Sequence, residues 1–457
     1  MPRAVITGTS LICPAGVTAD STFQACLAGR CAAIGAGLPA PMARIPLARL
    51  PEIPRLAACP WPEPSAGLAV LAAQDALAEA GLQPGWMRRE QSAMVVATSK
   101  AGVLTAIACH EAMRQTLTQG GGDRKSATSD NHATGGGDQT GTVPPRQAGG
   151  RSIRLAGWLE HWAPSTPPAG TGNLLEQFWP WATPACALSA LCQAYQPGGE
   201  VSSVVLACAA GLAALAQGAR LIADGRADTV LVVASDASIH PLFVGGFWRM
   251  GVLAKWSVTP GDACRPFSAD RCGFVLSEGA GAIVLQASDT RNRKSEHSAV
   301  TVAGWATGSQ GADLVRPQEA AEPVAGVIST MLRRSHWPAG TVDLVHAHGT
   351  ATPAGDLAET QAIKAALGPA VGGIPVIATK PITGHMLGVA GLAQAVLTVK
   401  AMQAGRIPPT ANLRQSDPQC DLDYNPAGPR ELDLRRAICI ANGFGGGVAV
   451  VGLERQG

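Results

Sequence analysis

Charge is scarce in this chain: Asp, Glu, Lys and Arg together make up 15% of its 457 residues, and the formal net charge is +2. A polyanion-binding protein gathers lysine and arginine into runs or stripes; no such run is present, so nucleic acid is not an expected partner. CxxC pairs are also missing, which excludes a zinc ribbon or a thioredoxin-type site, and no residue cluster suggests another metal. No apolar run approaches the roughly 20 residues of a membrane helix; the longest spans residues 204–216. The opening residues, MPRAVITGTSLICPAG, lack the unbroken apolar core of a signal peptide and read as a strand and turn. TGTS in that turn is not GxGxxG, so a dinucleotide site there is not expected. Twelve cysteines without the dense spacing of a small secreted scaffold fit a reducing, cytoplasmic setting.

What is abundant is apolar: 46% of residues are hydrophobic. Short apolar strands at 3–7, 93–98, 201–206, 229–234, 278–286, 300–304, 345–347 and 376–378 alternate with helical patterns such as residues 68–80. This alternation predicts an α/β protein with a mainly parallel, layered sheet. The sharpest polar break, DTRNRKSE at 289–296, divides the chain into an N-terminal half, 1–292, and a C-terminal half, 293–457. Residues 115–172 form a Gly-, Ser- and Thr-rich insertion with little to bury. Inside it, His132 has no cysteine or histidine neighbour, and Leu155, Trp158, Leu159 and Trp162 have the spacing of one amphipathic helix.

One stretch organises the rest. In EVSSVVLACAAGLAALAQGARLIADGR, residues 200–226, a β-branched run reads as a strand covered on both faces, and helical spacing starts after Cys208. A thiol at a strand-to-helix join meets the partial positive charge of the helix end, so a lowered pKa is expected. The plainer reading of a lone cysteine is a small hydrophobe in a core. A second stretch, residues 378–406, matches the first when Gly211 is laid on Gly388, and Cys208 then falls opposite His385. That match predicts a duplicated half-fold with two helices meeting at one site.

Three further segments carry chemistry. HAHGTATPAGD at 346–356 supplies His348, Thr350 and Thr352; TKPITGH at 379–385 supplies Lys380 and His385; NGFGGG at 442–447 surrounds Phe444 with glycines. Neutral imidazoles donate one hydrogen bond and accept another, so two of them beside an acylated cysteine could hold a thioester carbonyl and stabilise its enolate.

Together with ACAAG at 207–211, RIPPTANL at 406–413 and CDLDYNP at 420–426, these motifs resemble the elongating β-ketoacyl-acyl carrier protein synthases with a Cys-His-His triad. The resemblance covers the chain outside the insertion. It implies a thiolase-like fold: duplicated βαβαβαββ halves in a five-layered α-β-α-β-α core. It also implies that Cys208 takes the acyl chain and that His348 and His385 bind the malonyl thioester and assist decarboxylation. Backbone N–H groups of Cys208 and Phe444 would form the oxyanion hole, with Phe444 as a gate. Lys380, paired with Glu359, would order the site, and Thr350, Thr352, Gly445 and Gly446 would contact phosphopantetheine. No cofactor is implied beyond substrates carried on acyl carrier protein, and a homodimer, or a dimer with a paralogue, is expected.

Four positions depart from the family pattern. Gly447 and Val448 replace Thr-Asn and should loosen the support behind the gate; Gln310 falls in an altered polar segment; Cys272 replaces an Asp. Two alternatives stay open. One is a coenzyme A thiolase using Cys439 as its base, and the other is a silent, chain-length-factor-like partner subunit.

Overall fold

The computed structural model describes residues 2–32, 42–43, 64–100, 183–255, 259–288, 299–311 and 321–456. The insertion at 115–172, its candidate helix and the polar break at 289–296 lie outside the described residues.

Among the described residues, ten strands build one sheet. They are β1 (Ala4–Ile12), β2 (Ser92–Thr98), β3 (Val201–Val205), β4 (Thr229–Asp236), β5 (Gly279–Ala287), β6 (Val300–Ser309), β7 (Leu344–His346), β8 (Val376–Ile377), β9 (Arg436–Asn442) and β10 (Gly447–Arg455). Their spatial order is β3-β2-β4-β5-β1-β6-β10-β9-β7-β8. Each set of five therefore repeats the order third, second, fourth, fifth, first. In each set the first three of these run parallel, and the fifth strand is antiparallel to both neighbours. A short antiparallel ladder, Ala4 opposite Val302 to Ile6 opposite Val300, joins the sets.

The layers follow from period-2 alternation along the strands. Val95, Val232 and Ile283 of the first set share a core with Cys439, Ala449 and Val451 of the second. Their alternate neighbours face outward. Met94, Leu231 and Val284 pack on helices Pro64–Glu79 and Cys186–Tyr195, and Ile438 and Val450 pack on Glu322–Ser335 and Pro353–Leu367. Between the two inner faces lie two central helices, α1 (Ala210–Ala223) and α2 (Ala390–Ala404). Helix, sheet, helix, sheet, helix is the five-layered order. The stretch Leu387–Ala404 is long and apolar enough to cross a bilayer by length and composition, yet 89% of it is buried inside the protein. It is a core helix.

Three sequence expectations need correction. First, β1 runs on through residues 8–12 instead of turning at Gly8. A Cβ at Gly8 would lie 2.0 Å from the Ala76 carbonyl oxygen, so this glycine marks where a helix touches the sheet. Thr9 then donates its N–H and hydroxyl to Glu79 at 2.6 and 2.8 Å. Second, β3 is not covered on both faces. Among the described residues it ends the sheet, and Val205 is 56% exposed.

Third, the internal repeat is real but one helical turn out of register. Ala207 (φ 44°) and Leu387 (φ 48°) occupy equivalent left-handed positions, each opening a 3₁₀ turn that leads into a central helix. Gly388, not His385, is thus the counterpart of Cys208. Gly211 pairs with Gly391, and each meets the other helix at its leucine: a Cβ on Gly211 would approach Leu392, and one on Gly391 would approach Leu212. Helices rich in Ala, Gly and Leu match themselves at turn spacing, so similarity of letters alone does not choose the register.

Candidate active site

Cys208 sits in the 3₁₀ turn Ala207–Ala209 between β3 and α1, and its side chain is buried among Ile239, Phe247, Phe274 and Leu387. The expected fall in pKa does not occur. Burial pushes the thiol up to about 11, while the positive charges of Lys100 and Lys380 and the backbone N–H of Phe444 act in the opposite direction. From an ordinary value of 9.0 that is about 3 kcal/mol against ionisation. A helix end contributes roughly 0.3–2 kcal/mol, so desolvation of the buried thiol wins.

The two imidazoles come from the other set of strands. His348 follows β7, and His385 precedes α2. Their rings meet edge to face with centroids 5.4 Å apart, and Phe274 lies edge-on to His385 at 4.7 Å. Both have pKa values held well below the usual range, first by burial and then by the charge of Lys380. Both are therefore neutral, and a neutral imidazole still has one N–H to donate. Among the described residues His385 Nδ1 is buried without a partner; its backbone is anchored through Val275 and Ser277.

Lys380 opens the short helix Lys380–Thr383. Its ammonium donates to the His348 carbonyl oxygen and lies 3.5 Å from His348 Nδ1. Burial lowers its pKa to about 8, with Glu359 the main opposing influence. Glu359 does not form the direct ion pair that the family resemblance implies. Its carboxylate accepts the backbone N–H groups of His348 and Gly349 at 2.6 and 2.8 Å, so it sets the loop that carries His348 and acts on Lys380 through its charge.

Cys208, His348, His385 and Phe444 line one cavity of about 310 Å³ with Thr350, Thr352, Gln310, Asn442 and Gly446. The hydroxyls of Thr350 and Thr352 lie 3.0 Å apart. Gly445, at the exposed tip of a turn where it and Gly446 have φ of 82° and 81°, is not among the lining residues. Phe444 is half-buried and stacks on Phe247 at 6.0 Å. Behind it, a Cβ at Gly447 would lie 2.7 Å from Leu206 Cδ1. The absent Thr side chain leaves no gap, because Leu206 fills it. Cys272 accepts a hydrogen bond from the Lys255 N–H at 3.5 Å.

Cys439 lies against Thr398 at 3.4 Å in the inner core and does not line the cavity; burial pushes its thiol up to about 12. It is not placed to act as a thiolase base. His346 is a core histidine, held by Thr398 and Thr379 at 2.9 and 3.0 Å.

Sequence reasoning missed three residues. Asp356 accepts the N–H groups of Phe267 and Ala351 at 2.8 and 3.0 Å and braces the threonine loop. Asp236, a β4 residue whose charge acts on Cys208, accepts from Ser99 and Ser238. Lys100, just past β2, is the third. Asp356 falls inside the HAHGTATPAGD motif; the other two have no local signal.

Family models agree with this geometry. Residues 181–291 match the N-terminal domain of beta-ketoacyl synthase, and residues 299–414 match its C-terminal domain. The 3-oxoacyl-[acyl-carrier-protein] synthase 2 of Coxiella burnetii is 32% identical over 298 residues, which are 65% of this chain and 72% of that protein. The tetracenomycin polyketide synthase ketoacyl synthase alpha subunit of Streptomyces glaucescens is 36% identical over 248 residues, 54% of this chain and 58% of that one. A type II polyketide ketosynthase solved with its acyl-carrier protein shares the fold at a TM-score of 0.76, with 24% identity and 99% of both chains covered. The fold is that of the thiolase-like condensing enzymes, a class of acyltransferases. Within that class the chain belongs to the β-ketoacyl synthase family.

Proposed function

We propose that the chain catalyses the decarboxylative condensation of a malonyl thioester with an acyl group held on Cys208, in fatty acid or type II polyketide synthesis. The carrying observation is the convergence of the buried Cys208, two neutral histidines and the Phe444 N–H on one cavity. In the first half-reaction the Cys208 sulfur attacks the acyl thioester carbonyl, and the phosphopantetheine thiol leaves with the proton that Cys208 loses. In the second, the malonyl thioester loses CO₂, and its carbonyl oxygen takes the enolate charge against His348 and His385 donors. The enolate carbon then attacks the acyl-Cys208 carbonyl, and the thiolate leaves. Charge on that carbonyl would develop towards the Cys208 and Phe444 N–H groups, a contribution of roughly 100- to 1000-fold in comparable oxyanion holes.

Thr350 and Thr352 at the cavity wall suit the uncharged phosphopantetheine arm of an acyl carrier protein, the partner of the type II ketosynthase cited above. The edge of β3, unpaired among the described residues and with Val205 exposed, supports pairing with a second copy or a paralogue. Intact mass after mixing with an acyl carrier thioester tests the reading. One acyl adduct is expected, abolished by Cys208→Ala; an unmodified wild-type chain would favour the silent partner subunit.

A further inference from the structure

Lys100 is a charged residue at an apolar site that the proposed reaction does not use. Its ammonium lies 4.9 Å from the Phe243 ring centroid and 5.2 Å from that of Phe247. Phe247 belongs to the apolar cluster that holds Cys208 and Phe243 packs against that cluster, and Phe247 stacks on the gate residue Phe444. Among the described residues, its single hydrogen-bond acceptor is the Ser99 hydroxyl at 3.2 Å. Asp236, the nearby anion, is already served by the Ser99 and Ser238 hydroxyls and the Gly388 N–H. An ammonium has three donors and no acceptor of its own, so aromatic faces and one hydroxyl leave its remaining donors to water, which the half-buried position of Lys100 admits. Lys100 is also the first of the positive charges acting on the Cys208 thiol and a contributor at His385.

A saturated acyl chain entering this cluster would strip water from the ammonium and supply no acceptor in return, whereas an oxygen on the chain would restore one. We propose that Lys100 selects the acyl group carried by Cys208, favouring chains that bear an acceptor oxygen, a ketone or a carboxylate, over plain hydrocarbons. This inference rests on the condensing-enzyme reading.

The test compares loading of Cys208, followed by intact mass, from saturated, 3-oxo and ω-carboxy carrier thioesters matched at four and at eight carbons. The wild type is expected to load at least one oxygenated member roughly 10- to 100-fold faster than its saturated match, the scale of a hydrogen bond to a charged group. Lys100→Met should erase or invert that ratio, and Lys100→Arg should keep it; the faster arm distinguishes ketone from carboxylate. A ratio unchanged in Lys100→Met, or all rates lowered equally, would overturn the selection role and leave the condensing reading intact. Failure of every thioester to load the wild type would overturn both.

Discussion

Replacing Gly211 by alanine sets two effects of known size against each other. In a helix interior the change is favourable by about 1 kcal/mol, because glycine loses more backbone freedom on folding, and this is an upper limit for Gly211, the second residue of α1. In α1 the new Cβ would lie 2.8 Å from the Gly388 carbonyl oxygen and 2.9 Å from the Leu392 nitrogen. These are backbone atoms, which cannot rotate away, and comfortable carbon contacts need about 3.5–4.0 Å. The two central helices must part, at the roughly 1–3 kcal/mol of an overpacked core. The upper part of that range applies, so a net loss of about 1–2 kcal/mol is expected. Gly326 is the control: it lies in the helix Glu322–Ser335 with nothing within 4 Å of its Cβ position, so Gly326→Ala should gain about 0.5–1 kcal/mol. Urea midpoints of the two variants should move in opposite directions. Acylation should slow only in Gly211→Ala, since Cys208 and Gly388 lie at the tips being separated. A Gly211→Ala midpoint equal to or above that of Gly326→Ala would refute the close helix contact.

Gly447→Ala should lower the urea midpoint through the clash with Leu206, and Leu206→Ala should relieve it; additive losses in the double variant would show that the two do not share the space. Because burial raises the Cys208 pKa to about 11, alkylation by iodoacetamide should climb about tenfold per pH unit from 7 to 9; a plateau there would mean a stable thiolate. Condensation should decline as pH rises through about 8, where Lys380 loses its proton, and Glu359→Gln should move that decline to lower pH by removing the opposing charge. Since folding lowers the lysine pKa from 10.5, Lys380 costs stability below pH 8 and the cost is relieved as pH climbs towards 10.5. An unmoved profile in the Glu359 variant would contradict that coupling.

The cysteine's seat was legible because two periodicities change over at Cys208, and β-branched strand residues give way to Ala and Leu at helical spacing. The histidines were legible through the HAHGTATPAGD and TKPITGH motifs that carry the family resemblance. What stayed hidden depends on neighbours far along the chain. Gly8 reads as a turn residue until Ala76 is seen against it, and the repeat register needs the crossing of Gly211 and Gly391 rather than matching letters. The raised Cys208 pKa is not legible, because the helix end is visible in a sequence and the surrounding burial is not. Lys100 carries no motif, and only the fold brings it beside Phe243 and Phe247.

The most direct check is a two-stage assay on His385→Ala beside the wild type: load Cys208 with an acyl group, confirm the adduct by mass, then add malonyl carrier protein and measure 3-oxoacyl product and released CO₂. Both proteins should carry the adduct, and only the wild type should turn it over. Full product formation by His385→Ala would contradict the pairing of a buried thiol with imidazoles from the opposite half of the fold.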